Sequence, residues 1–413
     1  MWWVVLSSVA TLAFAGTLGL SQEAPEPSGA LLDESKLQEI RLILHPNDLQ
    51  KLTVGYGDNT YYPATFMWQD QIVENVGIRS KGRSSRRPTK PGLRIDFNRY
   101  EEQTFLGLKA ILLDNNITDQ SGMRERLCAF LWQKMGLPAP RQTAAKLFVN
   151  DEYIGLYSLG EETDKTYLKR TFGEDTGYLY EYQPVEGYKF GYLGPDPEKY
   201  VPRPFEPKTH EKAPRADLIE EFIRTVNQTS DAEFPAAIEQ YLDVKKFLTH
   251  LALESYVAEW DGILNSIQTN NLFFYRPANS KKGIVLFKDK DLTFFAIDYP
   301  IASGASEQVL VRRLLQVPEW RAFWQSEVLR VAEIAGGADG ELIQLIDKFR
   351  DQIRDALYAD TRKECRAGAC PVEQSNTEFD VQIGYLKDFV KLRPAEVRRQ
   401  LGLETPATMS LVR

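Results

Sequence analysis

The spacing of apolar residues changes once along the chain, and this change constrains the fold more than any other feature. Apolar runs of strand length recur in the first half, at residues 38–44, 73–79, 93–97, 111–113, 144–149, 154–159 and 177–182. Helical periodicity follows, at residues 216–226, 232–241, 244–260 and beyond 309. The exceptions are a helical segment at 121–135 and a strand pair at 272–275 and 283–287. This order predicts an α+β fold with two lobes, a β-rich N-terminal half and a mainly helical C-terminal half.

The two ends of the chain are predicted to lie outside the folded domain. Residues 1–20 are apolar and contain a small-x-small sequence, Ala13-Phe14-Ala15. Residues 1–21 are therefore interpreted as a secretory signal peptide or, because no Lys or Arg precedes the apolar run, as an uncleaved membrane anchor. Residues 22–36 are predicted to be a linker and residues 402–413 a C-terminal tail. We expect an exported protein, with membrane attachment only through the N-terminal segment.

Charge and cysteine content exclude two classes of function. The net charge of -8 argues against a general nucleic-acid binder, which usually carries a basic excess or a basic face. The three cysteines lack CxxC spacing, which disfavours a zinc site. Cys365 and Cys370 enclose a short loop and are interpreted either as a disulfide of an oxidising compartment or as two surface thiols. Cys128 is predicted to be a core residue, and residues 184–214 to form a long loop or lid.

A basic loop at residues 79–90, RSKGRSSRRPTK, lies between two predicted strands. Backbone N–H groups, hydroxyls and cationic side chains all donate to phosphate oxygens, so this composition suits phosphate binding. Lys90 is preferred over Lys81 as the phosphate ligand, because it stands at the entry to a strand. A solvated basic hairpin is the alternative interpretation. The candidate nucleotide-binding residues of this loop are Lys81, Arg83, Ser84, Ser85 and Lys90.

A second polar cluster follows the predicted strand at 154–159. Glu161, Glu162 and Asp164 precede a predicted helix, and acidic residues in the first turn of a helix complement its dipole. The functional alternative is that Glu161 orients a phosphate-binding lysine.

A third polar cluster occupies the second half. Asp261 ends an apolar helix, Asn271 begins a strand, and Asp289 and Asp291 follow the next strand. If that strand continued, the two aspartates would point to the same face, and such a pair is costly to bury without a cation. A strand that has ended in a solvated turn is the alternative. The order Lys, Glu, Asp, Asn, Asp matches that of protein kinases, in which an Asp accepts the hydroxyl proton and a later Asn and Asp bind Mg²⁺.

These segments resemble the CotH family of secreted or spore-coat atypical protein kinases. The resemblance covers residues 37–401 in consistent order. Its motifs are RSKGRSSRRPTKPGLRIDF, LLDNNITDQSGMRERLCAFLWQKMGLPAP, LFVNDEYIGLYSLGEETDKTYLKRTFG, WDG with NNLFFYR, DKDLTF and FVKLRPAEVRRQL.

The resemblance implies an atypical protein-kinase-like fold and transfer of the γ-phosphoryl group of ATP to Ser or Thr of a protein substrate. It implies Mg²⁺ as the metal, Asp261 as the catalytic base, Asn271 and Asp291 as metal ligands, and Asp289 as their support. The basic loop and Glu161 would serve the nucleotide phosphates. With this resemblance, a metal-facing role for the acidic pair is favoured over a solvated turn.

The sequence departs from the family pattern at the proposed site. Arg83 replaces an Asn in the basic loop, and Phe287-Lys288 replaces Pro-Trp before the first aspartate of the pair. Lys288 and Lys290 bring positive charge beside the proposed metal ligands. A non-catalytic coat or cell-surface scaffold is therefore one alternative. An extracellular carbohydrate-associated module, suggested by 19 Tyr and 7 Trp, is another.

Overall fold

The strands of the first half close into a barrel. The computed structural model describes residues 26–403, so the predicted signal peptide or anchor, residues 22–25 and residues 404–413 lie outside the described part of the chain. The strands follow the order β1-β2-β3-β4-β5-β7-β6, and a parallel pairing of β1 with β6 completes the circle. Their bounds are β1 Leu37–Leu44, β2 Tyr62–Trp68, β3 Gln71–Lys81, β4 Gly92–Asp96, β5 Ala110–Asp114, β6 Gln142–Val149 and β7 Glu152–Glu161.

Alternating burial along the strands fills the barrel. In β1, Ile40, Leu42 and Leu44 are buried, whereas the residues between them are more exposed. This is the two-residue period of a strand with one apolar face. Phe66 and Phe97 meet edge to face inside, with ring centroids 5.1 Å apart. The barrel therefore has a hydrophobic core of its own.

Part of the predicted linker belongs to this barrel. Leu31 and Leu32 are buried in its core, and the Gln38 side chain donates to the carbonyl oxygen of Ala30 at 3.0 Å. Removing two leucine side chains from water favours this packing. Residues 26–36 are thus part of the folded domain rather than a linker.

The second half combines a small sheet with most of the helices. The sheet has the order β11-β10-β8-β9, with β8 Tyr178–Tyr182, β9 Phe205–Pro207, β10 Leu272–Arg276 and β11 Ile284–Phe287.

Within residues 26–403, no helix is long and apolar enough to cross a membrane. The helices are α1 Pro46–Val54, α2 Arg124–Lys134, α3 Lys165–Phe172, α4 Ala216–Gln228, α5 Phe234–Ile238, α6 Val244–Tyr256, α7 Val309–Gln316, α8 Pro318–Ala335, α9 Glu341–Ala359 and α10 Val372–Gln400.

The α+β class, the β-rich first half and the helical second half are confirmed. Neither α1 nor β2 was predicted from the sequence. β2 contains Pro63, and a proline within an apolar run argues against a strand when the sequence is considered alone. In the structure, the pairing of β2 with β3 has an irregular register between Ala64 and Phe66.

The segment 184–214, predicted to be a long loop or a lid, is a long loop that only the 3₁₀ helix Pro197–Lys199 and β9 interrupt. Tyr188, Phe190 and Phe205 are buried in the large core of the second half. Phe190 packs edge to face on Phe222 of α4, with ring centroids 6.4 Å apart. These buried aromatic side chains anchor the loop to the core, and this packing favours the loop over the lid.

The short loop between α9 and α10 contacts the first half of the chain. Cys365 and Cys370 form the predicted disulfide, with Cα atoms 5.9 Å apart, and Cys128 is free and buried as expected. Just before the disulfide, Glu364 accepts hydrogen bonds from Arg87 of the basic loop at 3.0 Å. The basic loop is therefore held by a contact from the end of the chain.

Candidate active site

Asp289 and Asp291 lie side by side, although they do not share a strand. β11 ends at Phe287, and Asp289 adopts a left-handed conformation with φ of 44°, which Asp tolerates better than most residues. Burial, and then the charge of Asp289, raises the pKa of Asp291 well above its ordinary value. Asp291 also accepts a hydrogen bond from the Thr118 hydroxyl. A turn, not strand alternation, thus brings the carboxylates together.

Asp261 stands beside this pair on the segment after α6. Its carboxylate accepts hydrogen bonds from the side-chain amides of Asn270 at 2.8 Å, Asn271 at 3.3 Å and Asn265 at 3.2 Å. Burial raises the pKa of Asp261 and the charge of Asp289 adds to this effect, whereas the hydrogen bond from Asn270 opposes it. Asp261, Asn271, Asp289 and Asp291 therefore form one polar cluster.

Lys81 faces the same cluster from the end of β3. Its ammonium lies 3.0 Å from a carboxylate oxygen of Asp114, the last residue of β5. Burial disfavours this charge, but Asp114, with help from Asp289 and Glu125, raises the pKa of Lys81 above its ordinary value. Lys81 of the basic loop is thus paired with Asp114 and lies within electrostatic reach of Asp289 from the second half.

Lys90 has a different environment. Its ammonium lies 2.7 Å from Asp360, and both side chains are almost completely buried. The same carboxylate oxygen of Asp360 accepts the backbone N–H of Leu156 at 3.0 Å. The Lys90 ammonium is therefore held inside the protein by a residue that follows α9. Its sequence-predicted role as the preferred phosphate ligand has no support in these contacts.

Residues 82–85 of the basic loop form a turn whose side chains are exposed or half-buried. Gly82 has φ of +105°, and a Cβ there would come within 2.5 Å of the Ser85 hydroxyl oxygen, so the turn requires glycine. Arg83 and Ser84 are exposed, and Ser85 is half-buried. The carbonyl oxygen of Ser85 accepts the Asn115 side-chain amide at 2.9 Å.

Glu161 does not orient a lysine. Its buried carboxylate contacts Arg141 at 2.8 Å and Arg170 at 2.6 Å. Burial alone would favour the neutral acid, but hydrogen bonds from Arg170 and Arg141 lower the pKa of Glu161. The predicted lysine contact has no support here, because the end of β7 lies next to Arg141, which directly precedes β6, and to Arg170 of α3.

Asp114 and Glu125 were not among the site residues predicted from the sequence. Burial, followed by the charges of Asp289 and Asp114, raises the pKa of Glu125 to about 8. Asp114 carried a usable signal, because a carboxylate directly follows the apolar run Ala110–Leu113. Glu125 did not, since an acidic residue in the first turn of a helix is normally explained by the helix dipole.

The two lysines next to the acidic pair are directed to other carboxylates. Lys288 lies 2.8 Å from Glu181 of β8. Lys290 is fully buried and lies 2.8 Å from Glu254 of α6. The positive charge that the sequence places beside the proposed metal ligands is therefore neutralised by these glutamates.

The donor atoms of the cluster fit a magnesium ion that also binds a nucleotide. Among residues 26–403, no group of three or more His, Cys, Asp or Glu side chains is arranged to hold a metal by itself. Mg²⁺ usually takes one or two carboxylates and completes its octahedron with water and substrate phosphates. Asp289 and Asp291 supply two carboxylates whose mutual repulsion a cation would relieve. The Asn271 side-chain oxygen is the third candidate donor.

Comparison with known proteins places the chain in a family. The family model described as CotH kinase protein matches residues 78–397. The chain is 25% identical over 300 residues to the inner spore coat protein H of Bacillus subtilis, covering 70% of this chain and 79% of that protein.

Two similar proteins come from Rhizopus delemar. Spore coat protein homolog 1 is 26% identical over 319 residues, covering 71% of this chain and 50% of the relative. Invasin CotH7 is 26% identical over 230 residues, covering 50% of this chain and 36% of the relative.

One solved structure, that of the Helicobacter pylori proinflammatory kinase CtkA, aligns with 74% of this chain and 94% of its own. Its sequence identity is 9% and its TM-score 0.24, so it carries no argument about the fold. The family match, in contrast, extends over most of the sequence. The chain belongs to the CotH kinase protein family.

Proposed function

We propose that this protein is an atypical protein kinase that transfers the γ-phosphoryl group of ATP to Ser or Thr of a protein substrate. One observation carries the proposal: Lys81, at the end of a barrel strand, pairs with Asp114 at 3.0 Å and is also within electrostatic reach of Asp289 from the second half. A cationic side chain suits the phosphates of a nucleoside triphosphate, and a nearby pair of converging carboxylates suits the metal ion that accompanies them. In this proposal the barrel and the helical half are the two lobes of a kinase-like fold, with the nucleotide between them.

Each residue of the cluster has a proposed role. Lys81 contacts the nucleotide phosphates and is preferred over Lys90, because its partner Asp114 is at the cluster and Lys90 is paired inside the protein. Asp289, Asp291 and Asn271 would hold Mg²⁺, which neutralises phosphate charge when bound. Asp261 orients the acceptor hydroxyl and takes its proton.

The remaining loop residues support these groups. Arg83 and Ser84 are exposed, and with Ser85 they offer donors to phosphate oxygens. Lys90 and Glu161 hold the loop and the barrel end through their buried ion pairs. The proposed ligands are thus ATP, Mg²⁺ and a protein substrate, with no nucleic acid.

A second candidate function is a non-catalytic coat or cell-surface scaffold with the same fold. The names of the relatives favour it, since one is an inner spore coat protein and another is named as a spore coat protein homolog. The same names support the proposal that this protein is exported to a coat or cell surface. The two functions differ in nucleotide binding and turnover.

Calorimetry and a transfer assay distinguish the two functions. ATP binding is measured with and without Mg²⁺, and phosphoryl transfer is followed to a serine-rich protein. A kinase binds ATP in a Mg²⁺-dependent manner and labels the substrate. Absence of nucleotide binding with any divalent metal would contradict the kinase proposal and favour the scaffold. Binding without transfer would assign an inactive nucleotide-binding member of the family.

A further inference from the structure

A buried ion cluster lies directly beneath the candidate active site. Lys290 stands between Asp289 and Asp291 in sequence, but its side chain is fully buried. The ammonium lies 2.8 Å from Glu254 and 3.7 Å from Glu259. It also donates to the backbone carbonyl oxygen of Asn271 at 3.3 Å. One lysine thus joins the acidic turn to Asn271, which directly precedes β10.

The two glutamates hold the segment that carries Asp261. The backbone N–H of Asp261 donates to Glu259 at 3.0 Å, and that of Ile263 donates to Glu254 at 2.9 Å. Between them, a Cβ on Gly262 would come within 2.5 Å of Glu259 and 2.6 Å of Glu254. The absence of a side chain at position 262 lets the segment pack directly against the side chains of both glutamates.

A second layer fixes the orientation of Glu254. The indole N–H of Trp132 donates to His250 Nδ1 at 3.1 Å. His250 Nε2, which therefore carries the proton, lies 3.3 Å from Glu254. Each oxygen of Glu254 is thus engaged: one with Lys290 and His250, the other with the backbone of Ile263.

Stability is a poor explanation for such a cluster. Burying ions is costly, and well-packed apolar residues of similar volume often give equal or greater stability. Ligand-supporting groups around metal sites, in contrast, fix the geometry of the residues that bind. Three contacts of this cluster end on backbone atoms at or near the proposed catalytic and metal-binding residues: the N–H of Asp261, the N–H of Ile263 and the carbonyl oxygen of Asn271.

We propose that Lys290, Glu254 and Glu259 are positioning residues that set the relative geometry of Asp261, Asn271 and the acidic turn. The inference rests on the proposed function, because the geometry matters only if these residues act together on a nucleotide and its metal. The cluster contacts neither the nucleotide nor the acceptor.

Glu259 offers a matched pair of variants. Glu259→Gln keeps an oxygen that accepts the Asp261 N–H, whereas Glu259→Leu removes it and leaves the Lys290–Glu254 pair in place. We expect Glu259→Leu to raise the Mg²⁺ concentration for half-maximal transfer by about 10- to 100-fold. Its kcat should fall, while KM for ATP at saturating Mg²⁺ should change little. Glu259→Gln should restore most of the wild-type Mg²⁺ dependence.

A second measurement reads the geometry without catalysis. Amide hydrogen exchange at Asp261 and Ile263 is followed in the absence of nucleotide and metal. Glu259→Leu should speed exchange at Asp261 more than at Ile263, and Glu259→Gln should not. Should Glu259→Leu fail to fold, the double variant Lys290→Met with Glu254→Gln removes one charge of each sign and is measured in the same way.

The outcomes separate the inference from the proposed function. If wild type neither binds ATP nor transfers phosphate, the kinase proposal fails, and the exchange data alone decide whether the cluster holds the segment. Unchanged exchange and unchanged Mg²⁺ dependence in Glu259→Leu would overturn the positioning role. Equal losses in Glu259→Gln and Glu259→Leu would also overturn it, because the accepting oxygen would then not matter.

Discussion

At the scale of the residue, the ionised form of Asp291 opposes folding. Its pKa is raised by burial and by Asp289, so the native state prefers the neutral acid. The unfolded chain loses this proton at a lower pH than the native state does. The free energy of unfolding therefore decreases as pH rises above the ordinary pKa of an aspartate, unless a cation neutralises the pair.

Replacing Asp291 by Asn should stabilise the metal-free protein. Asn removes the repulsion and keeps an oxygen that can accept the Thr118 hydroxyl, so we expect a gain of about 1 kcal/mol at pH 7. Mg²⁺-dependent ATP binding should be lost. Thermal unfolding at pH 5 and pH 7 measures the first effect and calorimetry the second. Asp298→Asn, which changes an exposed aspartate, is the control, and a destabilised Asp291→Asn would contradict the prediction.

Asp261 should affect turnover and not nucleotide binding. Asp261→Asn retains the shape of the side chain but cannot accept the acceptor proton. A loss of turnover of about 10² to 10⁴-fold is expected for removal of a general base. Single-turnover transfer kinetics and ATP calorimetry are compared in the same preparation. Full activity in this variant would remove Asp261 from the proposed mechanism.

Lys81 and Lys90 should give opposite phenotypes. Lys81→Met should weaken Mg²⁺-ATP binding by removing a cation at the site, with a small effect on folding. Lys90→Met leaves Asp360 buried without its cation, which typically costs about 3–5 kcal/mol of stability. Chemical denaturation and ATP calorimetry on both variants test the contrast. If Lys90→Met weakened ATP binding at unchanged stability, Lys90 would be the phosphate ligand instead.

At the scale of secondary-structure elements, the Glu161 side chain links β7, β6 and α3. It ends β7 and contacts Arg141, which directly precedes β6, and Arg170 within α3. Because arginines lower its pKa, its contribution to stability is present above the unfolded pKa of a glutamate. That contribution is lost as pH falls through the lower, native pKa.

Glu161→Gln should therefore destabilise the protein at neutral pH and not in acid. We expect a loss of about 1–3 kcal/mol at pH 7, because two arginines lose a charged acceptor. The difference from wild type should shrink as the pH is lowered. Urea denaturation across this pH range is the measurement. Glu39→Gln, at a half-buried ion pair with Lys146, is the control and should cost less than about 1 kcal/mol.

At the scale of the whole molecule, the segment after α9 ties the end of the chain to the barrel. Asp360 binds Lys90, Arg362 contacts Glu152, and Glu364 binds Arg87. The Cys365–Cys370 disulfide follows directly. This disulfide restrains the segment whose side chains hold the basic loop in place.

Replacing both Cys365 and Cys370 by Ser should lower stability modestly. Closing so short a loop removes little entropy from the unfolded chain, which corresponds to about 2 kcal/mol. Thermal unfolding of the variant, and of wild type with and without reductant, measures the loss. Reductant should not change the stability of the variant. A reductant effect of equal size on both proteins would show that the disulfide is not its cause.

Local pattern was sufficient for most of the fold. The two-residue period of β1 and the apolar periodicity of α2 are properties of neighbouring residues, so the sequence alone predicted both elements. The turn at Asn150-Asp151, where both residues adopt positive φ, was likewise predicted from the residue types. The sequence also pointed to Asp261, Asn271, Asp289 and Asp291 as a group, and their roles remain predictions.

The partners of the charged residues were decided only by the tertiary structure. Lys90 and Asp360 are 270 positions apart, and no local pattern could indicate that they pair. The same holds for Glu161 with its arginines and for Lys290, which the sequence presented as a cation beside the metal ligands but the fold buries against Glu254. Periodicity determines which residues form an element, because it acts between neighbours. The choice between two lysines depends on which elements pack together, and that information is distributed over the whole chain.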